Sequence, residues 1–218
     1  MMVINHLDSE YRKQTISKPR ARRNGAFYYS QEICSRIIPN VQTDRNWLTI
    51  KAGEKCMDHC IVFIHNNLNP ERYEYLRKYK DLILVCGIPE TVPKMEQYGT
   101  AIYLPLSIDV EYVKQYRCED QSGVAFVGRM AKRRIGDIPP GTECIGGLPR
   151  PELLRRMAKK EKVYAVGRVA LEAKVLGCEV LPYDPRFPDV ERWEVMDNIE
   201  AAYILQKKLD MIDGKDKR

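Results

Sequence analysis

Gly167-Arg-Val-Ala-Leu-Glu-Ala-Lys-Val-Leu-Gly-Cys-Glu-Val-Leu-Pro182 is the stretch that decides the fold. Gly167 opens a helix over residues 169–176, Glu172 sits early in it, and Gly177 ends it before an apolar strand. A helix start presents backbone N–H groups with no acceptor inside the helix, and its dipole favours an anion there. Gly167 has no Cβ to hold a ligand away from its backbone. Glu172 adds a carboxylate suited to accept from sugar hydroxyls. A strand, a glycine turn, a helix, a second glycine and another strand make up one turn of a parallel α/β unit.

The same alternation extends outward in both directions. Before this stretch, Val124-Ala-Phe-Val127 leads into Gly128-Arg129 and a basic loop with Lys132-Arg-Arg134. Cys144-Ile145 is a short strand before Gly146-Gly147. Residues 152–160 are helical, with Leu153, Leu154, Met157 and Ala158 on one face, and residues 163–166 form a strand. In the first half, Ala26-Phe-Tyr-Tyr29 and Trp47-Leu-Thr-Ile50 are expected strands. Cys60-Ile-Val-Phe-Ile64 and Leu82-Ile-Leu-Val-Cys86 are continuous apolar runs, as strands covered on both faces require. Asn69 caps a helix with Pro70 at its first position, and Tyr73, Leu76 and Tyr79 or Lys80 mark its buried stripe. A helix over 92–98 ends at Gly99. A strand over 101–104, a loop and a short helix over 110–116 follow. Residues 193–209 read as a closing helix, with Trp193, Met196, Ile199 and Tyr203 at helical spacing. The most polar break, Arg117-Cys-Glu-Asp-Gln-Ser122, sets the expected boundary. It divides the chain into a basic leader at 1–24, lobes at 25–120 and 121–212, and a charged tail at 213–218.

Composition narrows the class. The 218 residues, 44% hydrophobic and 30% charged, match an ordinary globular protein. No apolar run approaches the roughly 20 residues of a spanning helix, and Met1-Met-Val-Ile-Asn-His-Leu-Asp lacks the layout of a secretion signal. The expected location is cytoplasmic. Seven scattered cysteines suit reduced thiols. Cys56-Met-Asp-His-Cys60 holds three zinc-ligand types where a structural site needs four, so no metal is expected. The net charge of +6 and the basic leader permit contact with nucleic acid, a solvated tail being the alternative. The chain has neither Gly-x-x-x-x-Gly-Lys-Ser/Thr nor Gly-x-Gly-x-x-Gly, which argues against nucleotide hydrolysis and dinucleotide redox work.

The order of segments resembles the retaining nucleotide-sugar glycosyltransferases of the GT-B fold, family 4-like, in a reduced or divergent form. Four pieces carry the resemblance. The first is Asp81-Leu-Ile-Leu-Val, with the helix, Gly99, strand and Pro105-Leu-Ser-Ile-Asp109-Val-Glu-Tyr-Val that follow it. The others are Val124-Ala-Phe-Val-Gly-Arg129, Gly147-Leu-Pro-Arg-Pro-Glu-Leu-Leu154, and Gly167-Arg-Val-Ala-Leu-Glu172-Ala with Gly177. The resemblance implies two small Rossmann-like lobes with parallel sheets and crossover helices, the second lobe binding the donor, and a C-terminal helix packing back. Where the family carries the first of two glutamates, eight residues before the second, this chain has Tyr164.

From the residues and this resemblance together, the expected activity is transfer of a sugar from a nucleoside diphosphate sugar, metal-independent and with no further cofactor. The acceptor is open and DNA is among the candidates. A non-catalytic nucleotide or nucleic-acid binding module is the alternative, and assembly of copies stays open. Arg129 and Lys132 are the expected cations on the leaving diphosphate, with Arg133 beside them. His65, followed by Asn66 and Asn67, is expected on the donor sugar, with local strand capping as its alternative. Gly128, Gly147, Leu148, Tyr164, Gly167, Arg168, Val169 and Glu172 complete the expected donor site, with Glu172 on the ribose hydroxyls.

Overall fold

The computed structural model describes residues 1–7, 25–50, 53–65, 69–128, 136, 138–187 and 194–214. Two compact units form. Ala26–Leu106, with segments from both chain ends, makes the first, and Ser107–Asp197 the second. Each is an α/β layer structure built on an all-parallel sheet, the class the sequence predicts.

In the first unit, strands β1 (Val3–Asn5), β2 (Asn46–Ile50), β3 (Cys60–Ile64), β4 (Leu82–Cys86) and β5 (Thr100–Tyr103) lie side by side in sequence order. Every residue of β3 and β4 is buried, as continuous apolar strands demand. On one face Leu48, Val62 and Leu84 pack against Tyr73 and Leu76 of the 3₁₀ helix Pro70–Lys78 and against Met95 and Tyr98. Pro70 opens that helix, but Asn69 makes no side-chain cap bond. β1 comes from the segment expected to be a leader, Val3 pairing with Trp47. Residues 8–24 lie outside the described residues.

Residues 26–29 correct the expected strand. Gly25–Glu32 is a helix (α1), which continues through a π-turn at Ile33–Ile37 and a 3₁₀ turn at Ile38–Asn40. Its aromatic residues have strand propensity. Tyr29, Ile33 and Ile37, however, recur every fourth position and are all buried, so the helical period wins. A second, single-turn helix (α2, Val92–Met95) sits between β4 and β5, flanked by 3₁₀ turns.

The second unit contains α3 (Val110–Lys114), β6 (Val124–Val127), β7 (Glu143–Ile145), α4 (Arg150–Ala158), β8 (Lys162–Tyr164), α5 (Arg168–Leu176) and β9 (Glu179–Leu181). Its strand order is β7-β6-β8-β9. Strands β7 and β8 are consecutive in the chain yet flank β6, so the direction of strand addition reverses there. The division falls at Leu106, before α3, rather than at the polar break near residue 120. The break is a loop inside the unit: Gln121 Nε2 donates to the carbonyls of Ala158 and Leu176 at 2.9 and 3.0 Å, tying the ends of α4 and α5 together. Helix α5 itself ends as its glycine predicts. Gly177 is left-handed (φ 88°), and the N–H groups of Gly177 and Cys178 return to Lys174 and Ala173, each at 3.0 Å.

The closing helix, α6 (Asn198–Ile212), belongs to the first unit. Asn198 donates to Glu32 at 2.8 Å and Gln206 accepts from the Gln42 N–H at 2.6 Å, so it packs back as expected. Its buried face is not the one the large apolar residues suggest. Ala201, Ala202, Leu205 and Leu209 are buried, whereas Ile199 and Tyr203 are 54% and 61% exposed. Met196 lies ahead of the helix and accepts from the Ile108 N–H at 3.1 Å. Trp193 lies outside the described residues.

Leu84 sits on a fully covered central strand, so Leu84→Ala should leave a cavity and cost about 2–5 kcal/mol of stability. A lowered urea midpoint with an unchanged slope would show it, and an unchanged midpoint would contradict the packing described.

Candidate functional site

Ligands of parallel α/β sheets bind outside the carboxyl ends of the strands, where the strand order reverses. In the second unit that point lies between β6 and β8. β6 runs into Gly128, and β8 into Ala165 and then Gly167. The two loops singled out by the sequence therefore leave neighbouring strands at the same edge. Gly128 N–H bonds the Ile145 carbonyl at 3.2 Å, and a Cβ on Gly146 would strike the Gly128 carbonyl, so the loops after β6 and β7 are in backbone contact. Arg129, Lys132 and Arg133 lie outside the described residues.

Gly167 has φ 62° and ψ −139°, a conformation open essentially to glycine alone. It turns the chain from β8 into α5, and its carbonyl accepts from Ala170 and Leu171. Arg168 and Val169 occupy the first turn. Arg150 opens α4 at the same edge, after Gly147 (φ 69°) and Leu148.

The two arginines meet on Glu172. Arg168 Nε donates to Glu172 Oε1 at 2.9 Å, one helical turn apart, and Arg150 Nη2 lies 3.1 Å from the same oxygen. All three side chains are at most 10% exposed. Arg150 also stacks over the Tyr112 ring at 5.0 Å, and Tyr112 meets Tyr116 edge-on. Asp109 caps α3 by accepting from the Tyr112 N–H, which sets that ring. Glu172 thus stands in a buried ion cluster with Arg150, which lies in the resembling segment Gly147–Leu154 but is not among the expected site residues. The signal was present in Pro149-Arg-Pro-Glu, a helix start with its arginine at the first position.

Elsewhere on this rim, Asp184 follows β9 and takes Arg186 in a two-pronged bond at 2.8 and 2.7 Å, which raises the guanidinium pKa. Tyr183 meets Phe126 edge-on, and burial pushes its phenol up to about 12. Tyr164 is the last residue of β8, half-buried between Phe126 and Leu181 in the register. His65 belongs to the first unit, just past β3 and edge-on to Tyr29 at 5.7 Å. Asn66 and Asn67 lie outside the described residues.

A cavity lies elsewhere, at the amino-terminal edge of the first sheet. It encloses about 490 Å³ between Gln42, Thr43, Asp44, Arg45, His59 and Asp213. His59 Nδ1 contacts Asp81 at 2.6 Å and Nε2 faces Asp44 at 3.5 Å, so both ring nitrogens point to carboxylates rather than to Cys56 and Cys60. Among the described residues no three potential metal ligands gather, and no helix is long and apolar enough to cross a membrane. This ion network lacks the switch-point position that marks the second unit's rim. Comparison of the chain with protein families, with curated proteins and with solved structures finds no match.

Two expectations follow. Glu172→Gln removes the charge of a carboxylate shared by two buried guanidiniums and should cost about 3–5 kcal/mol in urea unfolding. An unchanged midpoint would remove the cluster from the account. His59 and Arg45 hold the Asp81 carboxylate below the usual range, so its stabilising share is complete above that range and lost as pH falls through the lowered value. Wild-type stability should therefore fall more steeply than that of Asp81→Asn below about pH 4, and parallel profiles would refute this.

Proposed function

We propose that the chain is a nucleotide-sugar glycosyltransferase whose second unit holds the donor's diphosphate at the carboxyl ends of β6 and β8. One observation carries the reading. The reversal in the order β7-β6-β8-β9 falls between the strands that lead into Gly128-Arg129 and Gly167-Arg-Val169. Those are the loops whose residue types suit a diphosphate.

The chemistry follows from charge. First-turn N–H groups of α5 and the guanidinium of Arg168 stabilise phosphate oxygens. Arg129 and Lys132, with Arg133, offset the charge that develops as the bond from the anomeric carbon to the diphosphate breaks. The acceptor hydroxyl forms the new bond to that carbon and gives its proton to the departing diphosphate. Glu172 serves in this reading as a positioning residue, because its Oε1 is committed to Arg150 and Arg168. The net charge of +6 favours a polyanionic acceptor such as DNA.

A second reading rests on Tyr164, which stands at the end of β8 where a carboxylate for the sugar would be expected. A module of this kind binds the nucleotide without turnover.

Calorimetry with uridine and guanosine diphosphate sugars tests both readings. Binding that Arg129→Ala weakens by ~1–3 kcal/mol, together with slow release or transfer of the sugar, supports the transferase. Binding with intact donor after long incubation supports the module. No heat with any nucleoside diphosphate donor rejects both.

A further inference from the structure

We propose that Cys56 and Cys60 form a dithiol site that small oxidants convert to a reversible intramolecular disulfide. The geometry carries this. Cys56 lies in the connection from β2 to β3 and Cys60 is the first residue of β3. Their sulfurs are 3.7 Å apart. Both face the Met57 carbonyl, Cys60 Sγ at 3.0 Å and Cys56 Sγ at 3.5 Å. A disulfide needs about 2.05 Å between sulfurs, a gap that side-chain rotation and a small shift of an irregular connection can close.

The two thiols are unequal in ways that assign their roles. Cys60 is fully buried under the sheet face that packs on Tyr73 and Leu76, whereas Cys56 is only half-buried. The contact from Cys60, with the nearby charge of Lys78, lowers the Cys56 thiol. The same contact and burial raise Cys60. Cys56 is therefore the accessible thiol that reacts first and Cys60 the thiol that resolves. His59 does not divert the pair to a metal, since its ring is bound to Asp81.

With a low-molecular-weight disulfide as oxidant, the Cys56 thiolate attacks one sulfur of the reagent, breaks its S–S bond and releases one thiolate. Cys60 loses its proton to solvent, and its thiolate attacks Cys56 Sγ and expels the second thiolate. The two protein thiols are oxidised and the reagent is reduced to two thiols. No metal or further electron acceptor takes part. The bond ties the β2–β3 connection to the start of β3, in the same loop that sets His59 against Asp81.

Trypsin provides a direct readout, because cleavage after Lys55 and Arg72 leaves both cysteines in one peptide, Cys56 to Arg72. The folded full-length protein is incubated with oxidised glutathione, alkylated with iodoacetamide, digested and weighed. The expected peptide lacks both thiol hydrogens and takes no alkyl group, and prior treatment with dithiothreitol restores alkylation at both positions. Cys60→Ser should trap glutathione on Cys56, and Cys56→Ser should leave Cys60 unmodified. Should the Cys60 variant fail to fold, limiting iodoacetamide on the reduced wild type should alkylate Cys56 ahead of Cys60. Full alkylation of both residues after oxidation, or equal labelling of the two under limiting reagent, would overturn the proposal.

Discussion

Parallel strands cannot be joined by tight hairpins; each must be followed by a crossover that returns the chain to the starting edge. In Ser107–Asp197 that constraint decides where the polar groups collect. Every strand ends at one rim, and every following helix begins there. Gly128, Gly146, Gly167 and the first turns of α4 and α5 are thus gathered by topology before any side chain is chosen. The reversal at β6 then sends the crossovers that follow β6 and β8 to opposite sides of the sheet order. Arg150 and Arg168 reach that rim because each stands at the first helical position after its strand.

What holds the rim together is a carboxylate placed one turn into α5. A buried guanidinium is tolerable only with a partner, and Glu172 provides one for two residues from separate helices. Tyr112 covers Arg150 from a third element, α3, which the polar stretch near residue 120 had seemed to exclude from this unit. Loss of that shared carboxylate would take an ion-pair partner from two buried cations at once.

The first unit shows the same fold logic with a different outcome. Its strands add in one direction only, so no reversal occurs. Its polar groups concentrate at the opposite, amino-terminal edge. There Arg45, His59, Asp81 and Asp213 cross-link the starts of the strands and the end of α6. His59 and Asp81 both adopt left-handed backbone (φ 51° and 53°), which non-glycine residues accept only where surrounding bonds impose it. The dithiol of Cys56 and Cys60 lies beside this cross-linked edge.

Continuous apolar runs such as Cys60–Ile64 and Leu82–Cys86 were legible as strands because burial on both faces leaves no other composition open to them. Gly167 and Gly177 were legible as helix limits because their backbone angles exclude most other residues. These are local properties, and the sequence by itself determined them, along with the parallel α/β class. It misjudged residues 26–29 and the buried face of α6, where aromatic bulk suggested one thing and the available space another. Ala201 and Ala202 face inward because a close helix contact needs small side chains, which leaves Ile199 and Tyr203 outside. Only the tertiary structure decided that β6 sits between β7 and β8, that Arg150 and Arg168 share Glu172, and that Cys56 meets Cys60. Those are pairings across space, and their geometry depends on how layers pack rather than on any residue's own preference.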